Sequence, residues 1–521
     1  MTASPRYNSE LSRSAPSLVA LLAGASYPLA FAPFHLYPAL LLSIAALFGL
    51  LCSRPHQGAW LGWLFGVGKY AVGVSWVYVS IHDHGGASPA LAGGLVAGFV
   101  AFMALFCWPI GWFVGAVEQR QHKPSKLILG IAFVAAWVLM EWLLTWFLTG
   151  FPWLFAGHAV TGMPLQSLLP VMGTLGVSLV IVGAAVGLVL AIDPQPGSRQ
   201  RPVALLGLVA IAALSLWLNG LSWTTPQGTY SAALVQGNLN QAEKWDNDKR
   251  LTHVRTHLDL SAQHWDVDVL VWPEFALTVY GEEADAVTQR LHQQGRDQNT
   301  NVIIGMPDLQ WQDDGGYQIF NSAQGFGAAA GKFAKHHLVP FGDYVPMQAY
   351  LRGIIEFFDL PMSAATPGQR EQGHIALQLL GQSDPVLVAT GICYEIAYGE
   401  SLRRQAVDSG LLLTLSNDTW FGRSIGPHQH MQIAQVRALE NGRWLLRATN
   451  SGVTGMVNPR GELVAALPQF EARVLRGEFQ VMSGRTPYSY LGDWPVFMVT
   501  LMALVALVLR LGPGQRAKSP H

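Results

Sequence analysis

Long apolar runs dominate both ends of this chain, and a mixed, largely polar stretch lies between them. Eight runs approach or exceed the ~20 residues that a bilayer-spanning helix needs: 15–33, 36–52, 59–81, 89–117, 126–147, 168–192, 203–222 and 492–511. The first has the look of a secretory signal. A second run follows it almost at once with no clean cleavage site, so it reads as a retained helix. From about 229 to 484 the pattern changes. Short runs rich in Val, Leu and Ile, at 232–236, 267–271, 302–305, 386–390, 411–415 and 444–448, predict buried strands. Polar segments with helical spacing, at 246–264, 282–294 and 428–441, alternate with them. That alternation predicts an α/β sandwich. The expected organisation is therefore seven membrane helices in 1–225, a soluble domain in 226–485, and an eighth helix with a tail in 486–521.

Charge adds an orientation. With the N-terminus inside, the inner connections carry Arg54, then Arg120, Lys123 and Lys126, then Arg199 and Arg201, and the tail carries Arg510, Arg516 and Lys518. The outer connections 32–37, 82–87 and 149–166 hold neither Lys nor Arg. Positive charge stays on the cytoplasmic side, so the pattern predicts both termini inside and the soluble domain outside. In a Gram-negative cell this is the inner membrane with the domain in the periplasm.

Composition agrees with a membrane protein: 50% of the 521 residues are apolar and 12% charged, against roughly 25% charged in an average soluble chain. Net charge is near neutral and no basic tract with interleaved aromatics occurs, which argues against nucleic acid. Gly85-Gly86 and Gly93-Gly94 lack the strand-to-helix setting of a phosphate loop, so no nucleotide is expected. Of the three cysteines, Cys52 and Cys107 lie in apolar runs and read as small hydrophobes. Cys393 stands alone in the soluble region, where it is either inert or a nucleophile.

Chemistry gathers where strand-like runs end. The run 267–271 leads into Trp272-Pro273-Glu274, a Gly/Ala turn precedes Lys335-His336-His337, and 386–390 leads into Gly391-Ile392-Cys393-Tyr394-Glu395. Strand ends are where α/β sites assemble. A thiol needs a base or a cation to act as a nucleophile at neutral pH. Glu274 can take its proton. The Lys335 ammonium, with the backbone N–H after the cysteine, can hold an oxyanion.

These segments, with Phe341-Gly342 after Pro340, resemble the nitrilase (carbon–nitrogen hydrolase) superfamily. With the membrane helices, and with Ser416-Asn417-Asp418-Thr419-Trp420-Phe421-Gly422 and Arg447-Ala448-Thr449-Asn450-Ser451-Gly452, nearly the whole chain resembles the apolipoprotein N-acyltransferase family. The resemblance implies an αββα sandwich and a two-step exchange needing no cofactor. Cys393 takes an acyl chain from a phospholipid such as phosphatidylethanolamine, then passes it to the N-terminal diacylglyceryl-cysteine of a lipoprotein, the last step of its maturation. It further implies Glu274 as general base, Lys335 as oxyanion stabiliser, Glu395 as an auxiliary carboxylate that orients Lys335 or shuttles a proton, Tyr394 as the backbone N–H donor and Asn321 as support for the lysine. Trp245, Asp343 and Trp420 are implied near substrate. Asp343 stands where the family pattern has Glu, one methylene longer.

Other features have plainer readings. His82-Asp83-His84 and His428-Gln429-His430 lack a partner set with metal spacing, so no metal is expected. Lys69 and Glu141 fall inside apolar runs, where they line a headgroup path, pair with each other, or snorkel to an interface. Loops after Pro340 and around 357–362 carry apolar residues suited to a lid. Two other functions share these motifs: a membrane-tethered amidase that transfers the acyl group to water, and a transporter or sensor with an unreactive nitrilase-like domain.

Overall fold

A computed structural model of the protein describes residues 5–121, 124–192, 200–246, 248–279, 281–347, 350 and 364–511. The lid segment expected around 357–362 lies outside the described residues. The chain forms two compact units. One comprises Met1–Ser75, Gly93–Leu221 and Leu491–His521, the other Trp76–Ala92 and Ser222–Tyr490.

The first unit is helical. Its apolar runs fold as Pro5–Ser26, Tyr37–Ser53, Gly58–Gly73, Pro89–Ala104 continued by Trp108–Gln121, Lys126–Leu143, Leu169–Ala191, Gln200–Leu218 and Trp494–Leu511. The expected count of eight spans is not reached on length. Among the described residues, four stretches are long and apolar enough by themselves: Pro89–Gln121, Lys126–Leu143, Pro164–Ala191 and Gln200–Leu218. Tyr37–Ser53 and Pro55–Gly73 qualify only as a pair bent by 112°, which makes up to five, and Ser14–Ala30 and Trp494–Arg510 are shorter apolar helices. Hydropathy marks where a run is apolar and does not register where its helix breaks.

Small residues let these helices approach closely. A Cβ on Gly24 would fall 2.0 Å from the Phe65 carbonyl oxygen, and one on Gly111 would fall 1.9 Å from that of Gly58. Lys69 and Glu141 are both fully buried, so neither snorkels. The Lys69 ammonium lies 4.7 Å from the Tyr27 ring centroid, 5.2 Å from Tyr70 and 5.7 Å from Trp137. Glu141 Oε1 accepts from Trp137 Nε1 and the Ala156 N–H, each at 2.9 Å.

The apolar run 59–81 is split between the units. Its helix stops at Gly73, and Trp76–Ala92 packs with the second unit. There Trp76 Nε1 donates to Gln429 Oε1 at 3.3 Å, its ring meets Phe421 edge-on at 4.7 Å, and Ser80 Oγ donates to the Trp420 carbonyl at 2.8 Å.

The second unit holds two six-stranded sheets. The strands are β1 (Thr224–Gln236), β2 (Val269–Trp272), β3 (Asn301–Trp311), β4 (Tyr317–Gly327), β5 (Lys332–Ala334), β6 (Ile375–Leu377), β7 (Val386–Ile392), β8 (Leu411–Ser416), β9 (Leu445–Thr449), β10 (Gly455–Val457), β11 (Leu463–Ala466) and β12 (Arg473–Gly484). One sheet runs β12-β1-β2-β3-β4-β5, the other β11-β10-β9-β8-β7-β6. The central trios β1-β2-β3 and β7-β8-β9 are parallel. Alternate residues of both sheets, such as Leu234, Val271 and Ile303 from one and Val388, Leu413 and Leu446 from the other, share a single core. The opposite face of the first sheet, with Val235, Leu270, Trp272 and Ile304, packs against Val254 and Leu291 of helices Arg250–Ser261 and Gly281–Asp297. Helices Gly399–Ala406 and Gly426–Asn441 cover the second sheet. The architecture is an αββα sandwich. β8 lies between both layers and is buried at every position, so its Leu-rich run does not alternate with exposed polar residues.

Candidate active site

Each triad candidate leaves the end of a strand. Glu274 follows β2, Lys335 follows β5, and Cys393 follows β7. Both sheet ends turn sharply there: Cys393 has φ of +55° and Phe275, just after Glu274, has φ of +49°. Such left-handed conformations are costly for residues with a side chain and persist only where surroundings hold them.

Glu274 and Lys335 are almost wholly buried. Lys335 Nζ stands 3.5 Å from Glu274 Oε1 and 2.7 Å from Asp343 Oδ2. Asn321 on β4 donates from Nδ2 to Glu274 Oε1 at 2.7 Å, and its carbonyl accepts the Lys335 N–H at 2.7 Å. It therefore touches both members of the pair. Glu395 bonds the two strand ends together rather than reaching the lysine ammonium. Its Oε1 accepts the N–H groups of His336 at 2.7 Å and His337 at 3.0 Å, and its Oε2 accepts the Ile392 N–H at 2.9 Å. The residue after Lys335 and the residue before Cys393 thus share one carboxylate.

Electrostatics separate the roles. Removal from water, with the Glu274 charge and a smaller effect of Asp418 acting the same way, pushes the Cys393 thiol up to about 12, against the lowering effects of Lys335 and of a hydrogen bond with Ser416. The cysteine is a thiol at rest. Burial alone would lower the Lys335 ammonium, but the Asp343 and Glu274 carboxylates outweigh it and hold the pKa above the ordinary lysine value. Burial lifts Glu395 to about 7, against the opposing backbone N–H bonds from Ile392, His337 and His336.

Three residues expected near substrate have definite neighbours. Asp343 is spoken for: besides Lys335, its Oδ2 accepts the Val339 N–H at 2.8 Å. Its short side chain reaches the triad lysine even though it is one methylene shorter than the Glu of the family pattern. Trp245 is half-buried with its ring against Phe275, 5.3 Å between centroids. Trp420 is half-buried and meets the His84 ring edge-on at 5.8 Å. Tyr394 packs edge-on against Tyr398 at 5.4 Å, and Tyr398 in turn stacks on His337 at 4.1 Å.

Two further features flank the triad. Lys244 is buried and donates from Nζ to the Glu274 carbonyl at 3.1 Å. Burial lowers it to about 8, although the Glu274 and Cys393 charges act to raise it. A lysine in an irregular loop carries no sequence signal of burial. On the other side of the thiol, His430, Asp418 and Arg447 form a fully enclosed cluster. Asp418 and Arg447 belong to the segments 416–422 and 447–452 that carry the family resemblance, and His430 to a predicted helix, but nothing in the sequence says that the three meet.

The chain matches known proteins along nearly its whole length. The carbon–nitrogen hydrolase profile matches residues 231–488, and the apolipoprotein N-acyltransferase N-terminal domain profile matches 23–187. Apolipoprotein N-acyltransferase of Pseudomonas paraeruginosa is 42% identical over 96% of this chain and 97% of its own length. The proteins of the same name from Azotobacter vinelandii and Methylococcus capsulatus are 41% and 38% identical, covering 97% and 92% of this chain and 97% and 93% of their own. Among solved structures, an amidase from Nesterenkonia sp. aligns at 19% identity with a TM-score of 0.34, over 52% of this chain and 95% of its own. The two domain matches and the near full-length identities place this chain in the apolipoprotein N-acyltransferase family.

Proposed function

We propose that this chain moves an acyl chain from a phospholipid, through a thioester on Cys393, to the α-amine of the N-terminal diacylglyceryl-cysteine of lipoproteins. One observation carries the chemistry: a protonated thiol at a strand end shares its surroundings with a buried Glu274–Lys335 pair. A thiol with pKa near 12 must lose its proton as it attacks, so a base is needed at that moment. Glu274 suits the task. Its Oε1 is tied to Asn321 and Lys335, while Oε2 accepts no bond from the described residues and is left for the proton.

In the first half-reaction the Cys393 sulfur attacks the sn-1 ester carbon as Glu274 takes the thiol proton. The tetrahedral oxyanion is held by the Lys335 ammonium and the Tyr394 N–H. The C–O bond breaks, the departing glycerol oxygen takes the proton from Glu274, and lysophospholipid leaves. In the second half the lipoprotein amine attacks the thioester carbonyl, Glu274 receives its proton, and the thiol is restored. No oxidant, metal or nucleotide enters this balance, because the donor is already an ester.

Both substrates have their acyl chains in a bilayer, and membrane-length helices in the same chain support a lipid donor over a soluble amide. The charge alternation supports a multi-pass inner-membrane location with the sandwich in the periplasm. The test is to incubate purified protein in proteoliposomes with phosphatidylethanolamine and a diacylated lipopeptide. Equal yields of lysophosphatidylethanolamine and triacylated lipopeptide are expected. Free fatty acid as the sole acyl product would mark a hydrolase instead.

A further inference from the structure

The reaction above assigns nothing to the cluster behind Cys393. His430 lies on helix Gly426–Asn441, Asp418 just beyond β8, and Arg447 on β9. All three are enclosed. His430 Nε2 stands 3.1 Å from the Cys393 carbonyl oxygen. A carbonyl can only accept, so Nε2 carries the proton. The other ring nitrogen, Nδ1, is 2.9 Å from Arg447 Nη2 and 2.9 Å from Asp418 Oδ1. Arg447 Nη2 also donates to Asp418 Oδ2 at 2.8 Å, and Ser416 Oγ donates to Asp418 Oδ1 at 2.7 Å. Asp418 and Arg447 together hold the Nδ1 edge of the ring, and Nε2 remains the donor to the Cys393 carbonyl whichever of the two pairs with Nδ1.

That bond acts on the next peptide plane. In a planar trans peptide the C=O and the following N–H point in opposite directions. Anchoring the Cys393 carbonyl on His430 therefore aims the Tyr394 N–H the other way. It also braces Cys393 in a left-handed conformation, which a residue with a Cβ does not hold unaided. A rotation of this one peptide would swing the N–H out of line, and a donor out of line stabilises no oxyanion.

We infer that His430, locked by Asp418 and Arg447, is a positioning residue that sets the direction of the Tyr394 N–H by holding the Cys393 carbonyl. This rests on the proposed acyl-enzyme chemistry and on the Tyr394 N–H as oxyanion donor. Substituted amides separate the role from simple packing. In His430→Gln the side-chain amide reaches the Nε2 position and can still donate to the Cys393 carbonyl. In His430→Asn it reaches only as far as Nδ1, near Asp418, and falls short.

The experiment measures single-turnover acyl-enzyme formation by intact mass, with phosphatidylethanolamine and, separately, with p-nitrophenyl butyrate. Iodoacetamide alkylation of Cys393 and the thermal midpoint are followed alongside. His430→Asn is expected to slow acylation about a hundredfold at saturating donor, as for loss of one oxyanion donor. Half-saturation and alkylation should stay within about threefold, since neither needs an oxyanion hole. His430→Gln is expected to recover most of the rate. Equal rates in the two variants, or alkylation and melting that fall in step with acylation, would overturn the inference. Wild type that reacts with the nitrophenyl ester but not with phospholipid would refute the lipid donor alone, and the two variants would still be ranked on the ester.

Discussion

Lys335 is closer to Asp343 than to Glu274: its ammonium lies 2.7 Å from one carboxylate and 3.5 Å from the other. The lysine therefore keeps its charge in a buried site with one dedicated counter-ion, while Glu274 is left freer to exchange a proton. Asp343→Asn removes that counter-ion and leaves the ammonium leaning on Glu274. Because the folded pKa of Lys335 is raised, its stabilisation is fully present below the ordinary lysine value of about 10.4 and is lost only as pH rises through the folded value. At pH 7.5 the variant should therefore lose stability, by about 3 kcal/mol if it behaves as a broken buried pair. Its acylation rate should fall at least about tenfold with half-saturation little changed. Thermal unfolding and single-turnover kinetics measure both, and a variant as stable and as fast as wild type would remove Asp343 from the site.

Glu274→Gln should separate thiol acidity from catalysis. The Glu274 charge raises the Cys393 thiol, so its loss makes the thiol easier to ionise. Iodoacetamide at pH 9 is expected to alkylate the variant faster than wild type. Acylation by phospholipid should nonetheless fall by about 10²–10⁴, the range for a lost general base. Slower alkylation together with slower acylation would mean that Glu274 draws the proton from the resting thiol rather than only during attack on the ester.

Glu395 should give the enzyme an acid limb. Its carboxylate accepts three N–H bonds, and protonation spoils at least one of them. With burial lifting it from 4.5 to about 7, activity is expected to rise with pH through an apparent value near 7. The sign for stability is opposite. The folded form binds this proton more tightly than the unfolded form, so the contribution of Glu395 to stability declines as pH rises from about 4.5 to 7. In Glu395→Gln an amide N–H would face a backbone N–H, at a cost of about 1–3 kcal/mol, and the acid limb should vanish. A profile that keeps the same limb in this variant assigns it to another group.

Lys244 holds the Glu274 carbonyl with a buried ammonium. Lys244→Met leaves that carbonyl without its charged donor beside a strained turn, and about a tenfold or greater fall in acylation is expected, consistent with the ~1.5–3 kcal/mol typical of a hydrogen bond to a charged group. Wild-type activity should also decline as pH passes about 8, where burial places this lysine, and that decline should be absent from the variant. Matching alkaline limbs in the two proteins would refute the role.

Much of the site is legible in the sequence. Lys335 follows a Gly/Ala turn and is marked by its own motif, whereas strand ends carrying Glu274 and Cys393 announce themselves because a Val-rich run followed by a reactive group has a local signature. The strands β2, β7, β8 and β9 fall close to their expected places for the same reason. Short strands such as β5 and β6, three residues each, are below what periodicity can register. The contact of Lys335 with Asp343 depends on how the intervening loop turns, and the bond of His430 to a backbone carbonyl leaves no imprint on side-chain identity. The membrane helices were legible as apolar runs. The break after Gly73, which sends Trp76–Ala92 to the sandwich, depends on tertiary partners such as Gln429 and Phe421.

The most direct test of the acyl-enzyme is intact-mass measurement of the protein mixed with phosphatidylethanolamine and no acceptor, followed by peptide mapping. The expected result is one added acyl chain on Cys393, labile to hydroxylamine, discharged by a diacylated lipopeptide and absent from Cys393→Ala. An adduct that persists in Cys393→Ala, or none on wild type while product still forms, would contradict a thioester at Cys393.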